Sequence, residues 1–434
     1  MFNNHFWLLL FMSLFCAVPN VLAMSENLDK TSFSLEDSLR MAYFNNPEMR
    51  SARETVEAQK GREITQSSFR GPEVRFEVGG FKSQEVDGEK VNPENSLSSW
   101  EVTQEFEAPC ALILKSQIAD AEVKIKEAEL KTLWADIYRR VKSAYARVLF
   151  SEEALRVFEM NLNSARQFRD AVEVQYQSGK VPRSKSIRSN IEILKAEAGY
   201  LEAQKNLKKE KLNLNLLLGR PADSEFQLNE ALSYEALEIR HDAFLDKALK
   251  TRPEIIGQEL RLKAVGKDLS RSRLSILPEP FIGLSRTLEE YDNDTSILLG
   301  ARLPLWDFNF GEIKEKAAVR AEEEIRFESL RREVESQVRG AILEAELASK
   351  KVELQKKAIE GVDELLKEAV IQFQEGELSF LEFLENLRTS KETRLSYFES
   401  LKNYYEKTAE LEQAVWDIPT FEGDRKKRDE ITLF

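Results

Sequence analysis

The chain has 434 residues, of which 32% are charged and 29 are glycine or proline (17 + 12), a balance that favours long helices over sandwiches. Its formal net charge of −13 argues against a nucleic-acid-binding protein, which needs a basic face to neutralise phosphates. The length suits two or three ordinary domains or one elongated repeat architecture.

Residues 1–23 predict a secretory signal peptide. Phe6 to Val18 is an apolar run too short to span a bilayer, and Val21-Leu22-Ala23 after it has the small residues of a cleavage site. Since Lys and Arg are absent from this segment, the free amino terminus would supply the positive charge, and an uncleaved anchor is the alternative. No later segment approaches the ~20 apolar residues of a membrane helix. Cleavage would leave Cys110 as the one remaining cysteine, without a disulfide partner.

The rest of the chain reads as two copies of one unit. Pro47-Glu48 recurs as Pro253-Glu254, an offset of 206 (253 − 47) that also relates the preceding Leu-x-x-Ala motifs. Gln175-Tyr176-x-x-Gly179 recurs as Gln372-Phe373-x-x-Gly376, with an offset of 197 (372 − 175). These matches predict a first repeat at 24–233, a second at 234–419 and a charged tail at 420–434.

In the first repeat a short helix at 47–69 is broken by Pro72. Alternating apolar residues then predict strands at 74–81 and 97–106, joined by a polar loop at 83–96. A long helix follows at 111–178, ends near Gly179, and is succeeded by a returning helix at 182–218. The apolar face of the returning helix comprises Ile187, Ile191, Leu194, Ala198 and Leu201.

The second repeat has the same order of elements. It predicts a helix at 253–274, strands at 281–288 and 296–303, a long helix at 311–375 and a returning helix at 379–416. Both long helices carry a sustained seven-residue apolar repeat, which is typical of coiled-coil packing. At 1.5 Å per residue the first would extend about 100 Å.

Four strands per chain pose a physical problem, because the smallest membrane barrels have eight and an open sheet edge in lipid is intolerable. Either the strands form a small soluble patch, or several chains pool them. Two chains would give eight strands and three would give twelve.

This order of elements, given twice after a signal peptide, resembles the TolC family of outer-membrane efflux proteins. The residues that carry the resemblance are Asn46-Pro47-Glu48, Arg252-Pro253-Glu254, Thr103 to Pro109, Leu303-Pro304-Leu305, Leu217-Leu218-Gly219 and both tip motifs. The segment Gln104 to Pro109 is most similar to the heavy-metal, CzcC-like branch, although Cys110-Ala111-Leu112 then departs from its pattern.

The resemblance implies a mainly α fold with a β membrane portion. Three copies would form a 12-stranded β-barrel in outer-membrane lipid, continuous with an α-helical periplasmic tunnel. Its function would be that of a passive conduit from a periplasmic adaptor (membrane fusion) protein and an inner-membrane RND or ABC pump to the exterior. The exported cargo stays open, and no cofactor is implied.

The same resemblance assigns two sets of site residues. Tyr176, Gly179, Phe373 and Gly376 would form the helix tips that dock the adaptor, while the alternative is that both glycines are only helix caps. Glu382 and Glu385, six and nine positions beyond Gly376, would ring the tunnel aperture, unless they are ordinary exposed glutamates. The family's closing contacts do not transfer, because Lys185 stands where the resemblance would place an acidic residue. Our hypothesis is that the polarity is swapped here, with Lys185 or Arg183 meeting Glu382 to hold the aperture shut.

Two other classes of function compete with a channel. A periplasmic coiled-coil scaffold would show the same seven-residue repeats, but it does not account for duplicated strand pairs. An enzyme is disfavoured because acidic residues in so charged a sequence usually form a solvated face, and no nucleophile or phosphate-binding motif occurs. We therefore predict no catalytic, cofactor-binding or metal-binding residues.

Overall fold

The computed structural model of the chain describes residues 32–78, 84–86, 89–91, 97–107, 109–238, 240–287, 294–303, 306, 308–375 and 377–421. The predicted signal peptide, Gly376 and most of the predicted tail lie outside the described residues. Within them the fold is mainly helical, as the sequence predicts. Across the described part of the chain, every helix is either too short or too polar to cross a bilayer.

The described residues of the first repeat form ten elements. They are β1 (Ser32–Phe33), α1 (Leu35–Asn45), α2 (Pro47–Ser67), β2 (Glu73–Val78), β3 (Gln84–Val86), β4 (Glu89–Val91), β5 (Leu97–Glu105), α3 (Pro109–Gln177), α4 (Arg183–Leu218) and β6 (Gln227–Leu228). The short strands β3 and β4 pair with each other inside the segment expected to be a polar loop.

In the part of the second repeat that the structure describes there are six elements. They are α5 (His241–Thr251), α6 (Pro253–Leu274), β7 (Glu279–Thr287), β8 (Thr295–Arg302), α7 (Phe310–Glu375) and α8 (Phe380–Val415). Helices α1 and α5 are not among the sequence predictions. Each ends two residues before a proline that begins the next helix, because proline disfavours helical backbone in the residue before it, Asn46 or Arg252, and itself fits the first helical turn.

Helices α3 and α7 have 69 and 66 residues and extend for about 100 Å each. Far from the sheet, α3 packs between α4 and α8, and α8 packs on α7. Near the sheet, α2 packs on α3, α3 on α6 and α6 on α7. The helices therefore form one layer, with α7 along one edge and α2 followed by α4 along the other.

The largest core lies at the middle of this layer, where α1 crosses α3 and α4. Phe33, Trp134, Tyr145, Leu214 and Leu401 are buried there. The indole Nε1 of Trp134 donates a hydrogen bond to the carbonyl of Pro419 at 3.0 Å. This core holds α1 and the segment that follows α8 against α3.

The returning helix α4 packs against the layer with the face opposite its apolar stripe. Its buried residues toward the layer include Ser186, Ser189, Ala196 and Ala203, whereas Ile187, Ile191, Leu194, Ala198 and Leu201 are exposed. These small side chains allow α4 to approach α3 closely. A Cβ at Gly199 would lie 2.9 Å from the ring of Phe158 on α3. The apolar face found in the sequence is therefore not the face that packs on α3.

Candidate functional site

The four-stranded sheet has the antiparallel order β2-β5-β7-β8. One row of its register joins Val74, Val102, Leu284 and Ile297 across all four strands. Since side chains alternate between faces, the same face also carries Phe76, Trp100, Ile282 and Leu299, with Gln104 and Arg286 as polar members. Among the described residues no helix packs over this largely apolar face, and Leu299 is 77% exposed.

The opposite face of the sheet is polar. It carries Glu73, Arg75, Glu77, Ser99, Glu101, Thr103, Glu105, Ser285 and Arg302, with Phe281 lying across Gly300. A sheet with one exposed apolar face and one charged face suits a boundary between lipid and water.

An ion-pair network lies where the polar face meets the helices. The guanidinium of Arg70 contacts the carboxylates of Glu105 at 3.0 Å and Glu107 at 3.4 Å. Arg302 contacts the other oxygen of Glu105 at 2.7 Å, and both arginines approach Glu279. Residues from both repeats meet here, so the network ties the four strand–helix junctions together.

The first tip is a glycine-capped turn between α3 and α4. Gly179 has φ +73°, its N–H donates to the carbonyl of Tyr176 at 2.9 Å, and the N–H of Lys180 donates to Gln175 at 2.9 Å. No atom lies within 4 Å of a Cβ built on Gly179. Within one chain this glycine is therefore required for its left-handed backbone and not for close packing.

The second tip has the matching backbone bond. The N–H of Glu377 donates to the carbonyl of Gln372 at 2.8 Å, which is the same five-residue span as Lys180 to Gln175. Ser379 then caps α8: its side chain accepts from the N–H of Glu382, and the Glu382 carboxylate accepts from the N–H of Ser379 at 3.0 Å. This bonding lowers the pKa of Glu382 from its ordinary value.

Four phenylalanines join the two tips. The ring of Phe168 on α3 lies 5.0–5.1 Å from those of Phe373, Phe380 and Phe383. Phe373 and Phe383 also stack at 4.6 Å. Phe373 is thus buried, and among the four predicted docking residues the described exposed ones are Tyr176 and Gly179.

The predicted gate residues lie near the tips, at the starts of α4 and α8. Glu385 is exposed and lies 3.7 Å from Arg388, whereas Glu382 is engaged in the cap of α8. The ammonium of Lys185 lies 6.0 Å from the centre of the Phe380 ring, and Arg183 is exposed. The structure describes no ion pair between Lys185 and Glu382 within one chain.

Both edge helices of the layer carry an exposed apolar stripe. On α4 the stripe consists of Ile187, Ile191, Leu194, Ala198 and Leu201. On α7 it includes Leu343, Leu347, Leu354 and Leu365, whose spacings of 4, 7 and 11 residues place them on one helix face. The edge strands β2 and β8 lie on the same two sides of the chain.

A model of outer membrane efflux proteins matches residues 38–220, most of the first repeat. The cobalt-zinc-cadmium resistance protein CzcC of Cupriavidus metallidurans is 22% identical over 68% of this chain and 71% of its own. The pyoverdine export outer membrane protein OpmQ of Pseudomonas putida is 21% identical over 84% and 80%. The solved structure of CusC superposes with a TM-score of 0.73 at 16% identity, covering 91% of this chain and 95% of that one. In sequence over residues 38–220 and in fold over most of its length, the chain is similar to outer-membrane efflux proteins of the TolC type.

A channel of the TolC type accounts for the duplicated strand pairs, which a coiled-coil scaffold leaves unexplained. The structure adds two features that the sequence analysis missed: the stripe on α7 and the ion-pair network around Arg70. Leucines spaced at 343, 347 and 354 were a readable signal for the stripe. The ion-pair network had no such signal in the sequence, because it joins residues more than 200 positions apart, such as Arg70 and Glu279.

Proposed function

We propose that three copies of this chain form an outer-membrane channel that passively conducts cargo out of a tripartite efflux system. In this proposal the three sheets close into a 12-stranded barrel and the helical layers close into a tunnel across the periplasm. The observation that carries it is the open pair of edges: β2 and α4 on one side, β8 and α7 on the other. Edges of unlike composition associate head to tail, and such contacts give a ring when the rotation closes.

The charges of the two edge helices support this head-to-tail contact. Helix α4 has 8 basic and 4 acidic residues, a net charge of +4 (8 − 4), while α7 has 12 basic and 16 acidic residues, a net charge of −4 (12 − 16). Two copies of α4 would repel each other, whereas α4 of one copy and α7 of the next attract. Opposite charges select this pairing over a symmetric dimer.

The sheet supports the membrane assignment. Its exposed apolar face would contact lipid, and its face with Glu101, Thr103 and Glu105 would line the water-filled lumen. Pooling three sheets removes every open edge, which lipid requires. The choice of three over two follows the TolC-family resemblance.

At the other end of the tunnel, the tips would dock a periplasmic adaptor that is bound to an RND or ABC pump. The open space around Gly179 and the exposure of Tyr176 suit contact with another protein. The cargo is not fixed by the relatives, because the name of CzcC refers to cobalt, zinc and cadmium and that of OpmQ to pyoverdine.

Cysteine crosslinking tests the ring directly. In a Cys110→Ser background, Leu201→Cys on α4 is combined with Leu354→Cys on α7, since each lies 22 residues from its tip glycine (201 − 179; 376 − 354). Oxidation should give dimers and then covalent trimers, with no larger species. The matched control, Gln204→Cys with Leu354→Cys, moves one thiol to the flank of α4 and should crosslink weakly.

A conductance measurement separates a channel from a scaffold. Purified protein added to planar bilayers should give discrete conductance steps, and vesicles containing it should become permeable to small solutes. A crosslinked trimer that produces neither would support the scaffold and overturn the channel. Crosslinking that stops at a dimer would overturn the ring of three.

A further inference from the structure

A groove of about 550 Å³ lies over α3 near the sheet, between α2 and α6. We name it the α3 groove; its lining runs from Gln59 to Gln66 on α2, from Lys115 to Glu129 on α3 and from Arg261 to Arg271 on α6. Along α3 it extends for about 20 Å at 1.5 Å per residue. Its volume suits a small organic molecule, because binding sites for such molecules have volumes of roughly 300–1,000 Å³.

The lining of the α3 groove is amphipathic. Its apolar part comes from α3 and α6 and consists of Ile118, Ile125, Ala264 and Val265. Its four basic side chains, which outnumber the three carboxylates of the lining, are Lys115, Lys126, Arg261 and Arg271. A rigid apolar body that carries one negative charge is complementary to such a lining.

The carboxylates of the α3 groove are already engaged. Glu129 lies 2.7 Å from the ammonium of Lys126 and 3.4 Å from the guanidinium of Arg261. Asp268 has two basic contacts of its own, at 3.4 and 3.0 Å. The third carboxylate accepts a hydrogen bond from the buried amide of Gln59 at 2.9 Å. A cationic guest would therefore have to displace an existing partner.

The basic side chains of the groove have donors beyond those that the carboxylates accept. A guanidinium has five N–H donors, and among the described residues Arg261 contacts one carboxylate, that of Glu129. Lys126 has three donors and contacts the same carboxylate. An anionic guest can accept the remaining hydrogen bonds without displacing Glu129.

A chain of ion pairs places the α3 groove on the polar side of the sheet. Lys115 lines the groove and lies 3.3 Å from Glu107, which in turn lies 3.4 Å from Arg70. Arg70 contacts Glu105 on the polar face of β5. Helices α2 and α6 both flank α3 on this side, as expected on the concave side of a curved layer. In the proposed channel, the groove therefore opens into the tunnel.

We propose that the α3 groove is a contact site for cargo in the tunnel wall and that it takes amphipathic organic anions, such as aromatic sulfonates and carboxylates. This inference rests on the proposed function, which makes the polar side of the chain the lumen. Three copies would place three such grooves just below the barrel. The apolar lining would hold the body of the guest while Arg261 and Lys126 bind its anionic group. Conduction requires that such a site bind weakly enough for the cargo to leave.

Block of the channel current tests the site. The probe is 8-anilinonaphthalene-1-sulfonate, added to planar bilayers that contain the full-length protein. Its uncharged parent, N-phenyl-1-naphthylamine, has the same rings without the sulfonate. We expect reversible, concentration-dependent block by the sulfonate and much weaker block by the uncharged compound.

Substitutions on α6 assign the block to the groove. Arg261→Gln should raise the half-blocking concentration of the sulfonate about tenfold, because a hydrogen bond from a charged donor is lost. The matched control, Arg273→Gln, removes the same charge from an exposed position of α6 outside the groove and should leave that concentration unchanged. Val265→Trp keeps every charge but places a ring in the groove, and should also weaken the block. Conductance steps recorded before the probe is added confirm that each variant is assembled.

The outcomes separate this site from the channel. Equal block of the unsubstituted protein, Arg261→Gln and Val265→Trp would overturn the site and leave the channel intact. Probe fluorescence that rises on binding and depends on Arg261, without block of the current, would place the groove outside the lumen and overturn the site as well. Equal block by the uncharged compound would overturn the preference for anions. If no conductance steps occur before the probe is added, both proposals fail.

Discussion

Two glycines with left-handed backbones stand at the two ends of α4, and their surroundings differ. Gly179, at the tip, has φ +73° and open space around it. Gly219, at the middle of the molecule, has φ +70°, and a Cβ there would stand 2.4 Å from the carbonyl oxygen of Asn45. Glycine is thus required at 179 for its backbone conformation alone, and at 219 for both its backbone conformation and its close packing against Asn45.

The regions around these glycines show the same contrast. The middle of the molecule joins α1, α3, α4 and α8 through a core centred on Trp134. The tip relies on a smaller cluster around Phe168, with exposed turns beyond it. The middle of the molecule is therefore closely packed, whereas the tip exposes surface that another protein can contact.

The largest effect is expected from alanine at the two glycines. Gly219→Ala should cost about 2–4 kcal/mol, because strain at positive φ adds to a backbone clash. Gly179→Ala should cost about 1 kcal/mol, from conformational strain alone. Urea unfolding of the purified protein measures both, and equal losses at the two sites would refute the contrast.

The substitution Gly179→Asn distinguishes the helix-capping role of Gly179 from its predicted adaptor-docking role. Asn tolerates the left-handed region, so Gly179→Asn should keep the cap and the oligomer. If the tip only caps a helix, export by this variant stays normal. Loss of export and of adaptor crosslinking, with an intact oligomer, would show that another backbone must approach Gly179 closely.

A smaller effect is expected from the aromatic cluster. Phe168→Leu removes the ring that contacts three others and should destabilise the junction of the two tips by about 1–2 kcal/mol. Hydrogen exchange should accelerate in the last turn of α7 and the first turns of α8. Exchange around Trp134 should stay unchanged, and acceleration there would mean that tip and middle are one cooperative unit.

The predicted gate is tested by conductance. Lys185→Ala should raise single-channel conductance if this residue holds the aperture shut. Glu382→Gln with Glu385→Gln should weaken block by multivalent cations, since the carboxylates would be neutralised. Glutamine at 382 retains the capping partner of Ser379, so a change in block would reflect charge and not unfolding of α8. Unchanged conductance and block in these variants would remove the gate.

The smallest expected effect is a pH dependence of the stability of the first turn of α8. Because hydrogen bonds from Ser379 lower the pKa of Glu382, the capped end of α8 is favoured above the ordinary glutamate pKa of about 4.3. This contribution is lost as the pH falls through the lowered value. Hydrogen exchange of the first turn of α8, corrected for intrinsic rates, should accelerate over that range. Ser379→Ala should weaken this pH dependence, because alanine lacks the hydroxyl but keeps the backbone N–H that donates to Glu382.

Periodic patterns made much of this architecture predictable. The offset of 206 between Pro47 and Pro253 revealed the duplication, and alternation around Phe76 and Trp100 revealed the strands. Helices α1 and α5 were missed although the spacing of Leu39 and Ala42, and of Leu245 and Ala248, is helical. The hairpin of β3 and β4 was missed because each strand has 3 residues, too few to show an alternating pattern.

The sequence by itself determined the order of elements, the lengths of the long helices and the places of the tip glycines, since each depends on residues close together in the chain. Tertiary structure alone decided which face of α4 packs inward. Both faces have helical spacing, and the choice rests on whether small residues such as Ala196 or large ones such as Leu194 meet α3. It likewise decided that Phe373 is buried among rings from α3 and α8, because contacts between distant segments leave no local pattern.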